Sequence, residues 1–423
     1  MKQSIADLKY LFDFFKRRNK QLYIVGGAVR DMILGKTPKD YDLTTDALPD
    51  EMKHWFDDVV DTGARFGTIG IVLPGGVYEI TTFRRDLCYT DGRHPSSVIY
   101  TDDVRLDVMR RDFTMNAILM DGDGIIYDYV GGLADLDRGI IRAIGSPDDR
   151  FAEDKLRKWR CVRLAAEQAM VVEDETKASI QNDPDITGVS MERIRQEFCR
   201  LLLSEKVTWG GYLLLKCNLI QFLFLERDVH FKNRDWRHAF LESFEAMAFV
   251  PRHLETRLAM LLHTLEPDER ELFLKVLKFS RHTQKQVLAL CAHYQVNCND
   301  IVDFKQTIAE LGHDGFSTLL SIQQGEAAWD SGPLKCEIVK KNKRIYANII
   351  SRGDPIFVRD LKIDGRDFIA AGYRGPAVKQ GISAALSMVY RYPEYNNRSD
   401  LLSFIESYYE TINGDENEQK ETS

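Results

Sequence analysis

The spacing of the apolar residues changes once along this 423-residue chain, near Ser146, and that change limits the folds open to it. Before it, the pattern is that of short strands and tight turns. "LYIVGG", from Leu22, is a β-branched run closed by glycines. "TIGIVLPGGVYEITTF", from Thr68, reads as two strands joined by a Pro-Gly-Gly turn. "AILMDGDGIIYDYVGG", from Ala117, reads as another hairpin, turning at Gly122 to Gly124. After Ser146, apolar residues recur every three or four positions in "RFAEDKLRKWRCVRLAAEQAM", "MERIRQEFCRLLLSE", "RLAMLLHTL" and "RELFLKVLKFS". No further hairpin and no internal repeat is evident. The predicted fold class is an α+β head followed by an all-α extension.

Composition closes off other classes. No apolar run approaches the roughly 18 residues that span a bilayer, so no membrane partner is expected. The first twenty residues mix apolar and charged side chains at helical spacing, unlike a signal peptide. Seven cysteines without a CxxC point to reduced thiols and a cytoplasmic location. Cys291, His293 and Cys298 form the nearest metal-like group but lack a second ligand pair. The formal charge of −8 argues mildly against a nucleic-acid partner. Patterning argues the other way: Lys335 to Arg398 holds thirteen Lys and Arg against six Asp and Glu. The last residues, "NGDENEQKETS", read as a solvated tail.

The stretch "YIVGGAVRDMILGKTPKDYDLTT" carries the chemistry. Asp40 and Asp42 fall at the start of a predicted strand, where alternate side chains face the same way. Their Cα atoms would lie about 6.6 Å apart. Two carboxylates at that spacing can share a hard cation such as Mg²⁺, with substrate phosphates filling other positions. Gly26 and Gly27 close the preceding strand, where backbone N–H groups can approach phosphates. Arg30, one turn into the next helix, could reach a phosphate bidentately.

"GGAVRD", "KDYDLTT", "RRDFTMNA", "GGLADLDRGIIRAIG" and "AEDKLRKWRCVRLAA" follow in order, and together they resemble the class II nucleotidyltransferases. That family comprises bacterial CCA-adding tRNA nucleotidyltransferases and their poly(A) polymerase relatives. The strong match runs from about Gln21 to Arg200, and "LKIDGRDFIAAGYRGPAVKQGI" is similar to the family's tail segment. The resemblance implies a catalytic head over 1–145, a base-recognising neck over 146–205, a helical body over 206–300, a tRNA-binding tail over 301–412 and a disordered end over 413–423. It implies Asp40 and Asp42 as metal-binding carboxylates with Glu79 as a third catalytic carboxylate, and Gly26, Gly27 and Arg30 as a triphosphate cradle. Arg110, Arg111 and Asp112 of "RRDFT" are implied to contact the nucleotide's sugar and phosphates. The implied partners are CTP, ATP and the acceptor arm and 3′ end of tRNA, held by a monomer or homodimer.

On a continuous helix, Asp154, Arg157 and Arg160 step three residues at a time, with neighbours on adjacent turns. By itself that is a salt-bridge ladder, Glu153 to Arg157 and Asp154 to Lys158. The resemblance implies instead that Asp154 and Arg157 read the base, with Arg160 and Arg163 holding the triphosphate or orienting Asp154. Cytosine and adenine each offer an amino donor beside a ring-nitrogen acceptor, which one carboxylate and one guanidinium can pair. Uracil and guanine reverse that pattern and leave both protein groups unpaired.

The segment from Arg84 to Thr101 is polar and reads as a mobile loop without a hairpin; in the family, a loop here switches selection from C to A. Tyr89, Asp91, Arg93 and Pro95 resemble the family pattern. No poly(A) polymerase signature follows the catalytic strand. His313-Asp314 is the chain's one His-Asp doublet and is expected at a helix-ending turn. The expected activity is CCA addition, with an A-adding enzyme, a poly(A) polymerase and an inactive RNA-binding relative as successive alternatives.

Overall fold

The structure, a computed structural model, describes residues 3–63, 66–89, 95–223, 234–294, 300–330 and 332–408. They form two compact units, Met1–Phe244 with Val276–Lys278 and Glu245–Lys275 with Phe279–Ser423.

The first unit opens with α1 (Ile5–Lys16), which Ser4 caps by accepting from the Asp7 N–H at 3.1 Å. Leu8, Leu11 and Phe15 recur along its buried face. Then come β1 (Leu22–Val25), α2 (Gly27–Ile33), β2 (Asp42–Thr45), α3 (Pro49–Trp55), β3 (Val59–Gly63), β4 (Thr68–Leu73) and β5 (Gly76–Thr82). With β8 (Leu119–Met120) and β9 (Ile126–Tyr127), these strands form a seven-stranded sheet, ordered β3-β4-β5-β2-β1-β8-β9. β2 and β5 are parallel, with Leu43 beside Ile80; the other pairs are antiparallel. Because β1 and β2 run antiparallel with Val25 opposite Asp42, the end of β1 lies beside the start of β2. That register brings the Gly-Gly turn to the carboxylate pair. The hairpins expected at Pro74 to Gly76 and at Gly122 to Gly124 are both present.

Three expectations need correction here. Arg84 to Thr101 is not hairpin-free: β6 (Arg84–Tyr89) and β7 (Pro95–Tyr100) pair antiparallel, with Arg84 opposite Tyr100 and Leu87 opposite Ser97. Val98, Ile99 and Tyr100 supply strand propensity that the polar flanks obscured. Asp91 and Arg93 lie outside the described residues. Second, the β2 ladder begins at Asp42, so Asp40 belongs to the lead-in, which follows Pro38 and makes no ladder pair. Third, Asp154 does not share a helix with Arg157. After α4 (Val104–Met109), α5 (Gly132–Asp137) and β10 (Ile140–Ile141), α6 (Pro147–Glu153) stops one residue short of Asp154. α7 (Leu156–Gln168) starts afresh, because the Asp154 carboxylate accepts from the Leu156 N–H at 3.1 Å and competes with continuation of α6.

β11 (Val171–Val172) pairs in parallel with β10, one short ladder within the helical extension. α8 (Asp174–Asn182), α9 (Met191–Leu202) and α10 (Val207–Lys216) follow. α7 packs against α9 and α10. Ile194, Glu197, Phe198, Leu201 and Leu202 make the buried face of α9, where Phe198 meets Trp159 of α7 edge-on at 6.3 Å. α10 approaches closely at Gly210, where a Cβ would lie 3.0 Å from that of Ala166.

The described residues of the second unit are helical, without strands. Its longest helix, Ile301–Asp330, breaks at Gly312, whose φ of 72° suits glycine. His313-Asp314 thus sits at the expected helix break. His313 Nδ1 lies 3.1 Å from the Tyr346 hydroxyl. Buried Lys305 pairs with Asp354 at 2.8 Å and donates to the Tyr390 carbonyl at 2.8 Å. Toward the C-terminus, Leu361, Phe368, Tyr373, Ala385, Val389 and Leu401 form one core. The helix Pro376–Arg391 carries Gly381 there, and a Cβ at Gly381 would lie 2.5 Å from Phe368 Cε1. Cys291 is a buried free thiol, and Cys298 and the acidic terminal segment lie outside the described residues.

Candidate active site

One cleft of about 520 Å³ in the first unit gathers every catalytic and nucleotide-binding candidate named from the sequence except Glu79. Eight arginines and Lys39 line it, against five aspartates, so this acidic chain concentrates positive charge at one place.

The floor is the β1–α2 turn. Gly26 has φ 79°, a backbone setting that favours glycine, and its missing Cβ would lie 3.8 Å from Asp42 Oδ2. Arg30 turns inward and is largely buried. It donates to Asn116 Oδ1 at 2.8 Å and to Asp31 Oδ1 at 3.0 and 2.7 Å. Its fork is therefore engaged within the turn.

Asp42 opens β2 at the cleft, and the register of Leu43 with Ile80 puts Glu79 of β5 beside it. Burial pushes the Asp42 carboxyl above its ordinary range; Arg111 and Arg160 oppose that rise, and Asp40 adds to it. Glu79 is raised too, first by burial and then by the charges of Asp42 and Asp40. Three carboxylates that repel one another this way favour a cation. Among the described residues no group of three His, Cys, Asp or Glu side chains stands ready to cage a metal. Hard oxygen donors fit a small divalent ion that fills its remaining positions from water and phosphate.

Arg110 and Arg111 rise from the end of α4. Arg110 Nε and Arg111 Nη2 each reach the buried Asp107 at 2.8 Å. Burial opposes ionisation of Asp107, yet the two guanidiniums outweigh it and hold its carboxyl at about 2. Asp112 accepts from Arg160 Nε at 2.9 Å and Nη2 at 2.7 Å, and from the Phe113 N–H at 2.8 Å. Burial is again outweighed, chiefly by Arg160 and Arg157, and Asp112 is held at about 2. The charge of Asp112 in turn raises Arg160.

Asp154 and Arg157 stand at the break between α6 and α7. Asp154 Oδ2 accepts from Arg193 Nη2 at 3.0 Å. Arg157 donates to the Arg150 carbonyl at 3.0 Å, Glu153 Oε2 at 2.7 Å and the Arg110 carbonyl at 3.0 Å. Half of the ladder read from the sequence is therefore present, Glu153 with Arg157. The other half is not: Lys158 is fully buried and pairs with Asp183 at 3.0 Å, because Asp154 has left the helix. Nor do Arg160 and Arg163 orient Asp154 through a direct bond. Arg160 holds Asp112, Arg163 pairs with Glu197 and Glu167, and Arg193 of α9 takes Asp154.

Sequence reasoning missed Asp107, Asn116, Arg193 and Arg200. Asp107 was findable, since it precedes two arginines by three and four positions on a helix. Arg193 and Arg200 are seven apart on α9, a same-face signal. Asn116 gave none beyond its place in "RRDFTMNA".

Comparison with known proteins comes to the same region. A family model described as the poly A polymerase head domain matches residues 22–142. One described as a probable RNA and SrmB-binding site of polymerase A matches residues 170–230. The CCA-adding enzyme of Geobacillus kaustophilus is 33% identical over 374 residues, 87% of this chain and 88% of that one. The match to the CCA-adding enzyme of Leuconostoc mesenteroides is 38% identical over 222 residues, 52% of this chain and 55% of that protein. The crystal structure of the Bacillus stearothermophilus CCA-adding enzyme in complex with CTP superposes with a TM-score of 0.79 at 26% identity, covering 98% of this chain and all of that one.

Proposed function

The chain belongs to the family of CCA-adding enzymes, which are tRNA nucleotidyltransferases, and from that premise we propose how its cleft does this work. It adds C, C and A to the 3′ end of tRNA from CTP and ATP, without a nucleic-acid template, in the cytoplasm. The observation that carries this reading is the company kept in one cleft: Asp40 and Asp42, an arginine cluster, and the Asp154–Arg157 pair.

The RNA 3′-hydroxyl attacks the α-phosphate in line, and pyrophosphate leaves. Asp40 and Asp42 hold the divalent cation, Mg²⁺ in this reading. The chemistry such an ion would supply is stabilisation of negative charge on the attacking and departing oxygens. Glu79, beside Asp42, adds negative charge that favours the cation. Gly26 and Gly27 let the triphosphate approach the backbone. Arg110, Arg111 and Asp112 meet the sugar and phosphates, and Arg160 and Arg163 complete the positive wall. Arg30 supports the turn from within. No covalent intermediate and no histidine base are needed.

Asp154 accepts from the exocyclic amine of C or A, and Arg157 donates to the adjacent ring nitrogen. In making that bond Arg157 exchanges one of its protein acceptors for the base. U and G would leave both groups unpaired, at about 1–3 kcal/mol for each. The RNA itself is held through its backbone, since every tRNA must be served.

The test uses tRNA lacking its 3′ end at each stage, with each nucleotide supplied separately. Wild type should incorporate C, C and then A. Asp154→Ala should lose CTP and ATP use by about tenfold to a hundredfold while UTP and GTP rise relative to them. Reduced activity with unaltered discrimination would defeat the base-reading assignment. Addition of A alone would point to the A-adding alternative, which the full-length CCA-adding relatives disfavour.

A further inference from the structure

The N-terminal segment has no part in the mechanism above, yet one of its side chains reaches the middle of the carboxylate pair. Gln3 Oε1 accepts a hydrogen bond from the backbone N–H of Tyr41, the residue between Asp40 and Asp42. Gln3 Nε2 donates to the Val77 carbonyl at 2.6 Å. Val77 lies on β5, two residues before Glu79. One carboxamide therefore bridges the two segments that carry Asp40, Asp42 and Glu79.

We infer that Gln3 is a positioning residue for the cation-binding carboxylates, fixing the lead-in to β2 against β5. The inference rests on the reading that Asp40 and Asp42 hold the cation. Pairing of β2 with β1 begins only at Asp42, so Tyr41 lies outside the ladder. The lead-in from Lys36 to Tyr41 has no regular secondary structure, and Lys39 and Asp40 are exposed. A segment of that kind wanders unless something pins it.

Gln3 is itself well fixed. The next residue, Ser4, donates its N–H to the Tyr78 hydroxyl at 2.6 Å, and Tyr78 is fully buried. The Tyr78 hydroxyl and the Gly75 N–H both donate to Asp7 Oδ2, at 3.1 and 2.8 Å. Gly75 leaves no room for a side chain, because a Cβ there would lie 2.5 Å from Asp7 Oδ2. The start of α1 is thereby tied to the β4–β5 turn, and Gln3 extends that anchorage to Tyr41. Groups that orient ligands without touching the ion commonly govern its affinity.

Gln3→Met keeps the side-chain length and removes both hydrogen bonds. In the full chain, Mn²⁺ binding is followed by loss of the free-ion EPR signal, with no nucleotide or RNA present. Gln3→Met should raise the half-saturating Mn²⁺ concentration about tenfold. It should also lower kcat for CC addition at fixed Mg²⁺, recover part of it at high Mg²⁺, and leave the KM for CTP unchanged. Two references accompany it. Ser4→Ala removes the α1 cap and touches neither Tyr41 nor Val77, so it should lower Tm and spare Mn²⁺ binding. Asp42→Asn should abolish the binding. Wild-type Mn²⁺ affinity in Gln3→Met, with binding lost in Asp42→Asn, overturns the inference and leaves the metal reading intact. An equal loss in Ser4→Ala also overturns it, by reducing Gln3 to general docking of α1. Retained binding in Asp42→Asn sinks the metal reading, and the inference with it.

Discussion

Asp154 is held from two sides, one oxygen by the Leu156 N–H and the other by Arg193. A carboxylate fixed this way is already ordered for the base it is proposed to read. Arg193→Ala should therefore lower kcat/KM for CTP and ATP about tenfold and narrow the margin over UTP and GTP, as measured by single-nucleotide extension. An equal drop for all four nucleotides would assign Arg193 to phosphate binding. The Asp112–Arg160 pair makes a second residue-scale prediction. Asp112 sits at about 2, below its ordinary 3.8, so its ionised form stabilises the fold above about pH 4, and that contribution is lost as pH falls toward 2. Arg160→Met removes the main cation opposing burial. It should cost about 2–3 kcal/mol, near the low end for a broken buried pair because Arg160 is 38% exposed. The acid-induced fall in Tm between about pH 4 and pH 2 should become smaller, because the Asp112 carboxyl rises toward its ordinary value, and a profile parallel to wild type would show that Arg157 alone suffices. Most of the side chains that line the cleft were legible from the sequence, because motif order names them, but Asn116, Arg193 and Arg200 were not. Neither were the pairings between them. Arg193 and Asp154 are 39 residues apart, and nothing in linear order ties them.

At the scale of elements, glycines and β-branched runs marked β1, β2, β4, β5, β8 and β9 correctly, since each turn residue punctuates the pattern. Two elements misled, each for a local reason. The α6–α7 break lies inside a run of residues that favour helix, and the extended backbone at Asp154, whose carboxylate accepts from the Leu156 N–H, interrupts it. The β6–β7 hairpin was hidden by polar residues, although Asp91-Gly92 is a hairpin-turn dipeptide. Pairing gives that segment a defined ladder on each side of residues 90–94, so its reach is a matter of strand length. Shortening it from Leu87 to Ser97 should preserve CC addition and abolish A addition, scored by the length of product on labelled tRNA. Equal loss of both steps would point to a folding role, and unchanged A addition to a passive loop.

At the scale of the whole molecule, net charge and local charge disagree: the chain carries −8, yet its cleft and the stretch from Lys335 to Arg398 are basic. Such segregation steers a polyanion toward chosen surfaces and away from the rest. The helix Pro333–Arg352 exposes Lys340, Lys341, Lys343 and Arg344. Replacing all four with Gln should raise the KM for tRNA and flatten the plot of log affinity against log salt by up to about three units of slope. An unchanged slope would make them ordinary solvated surface. If Asp154 and Arg157 read the base as proposed, the pair is also limited as a code. Naming one of four letters takes two bits. A slot that accepts cytosine and adenine alike and refuses the other two supplies only one. The second bit, whether C or A comes next, is absent from the slot and must be read from how far the strand has already grown. The product is therefore part of its own instruction, and the protein holds an alphabet rather than a message.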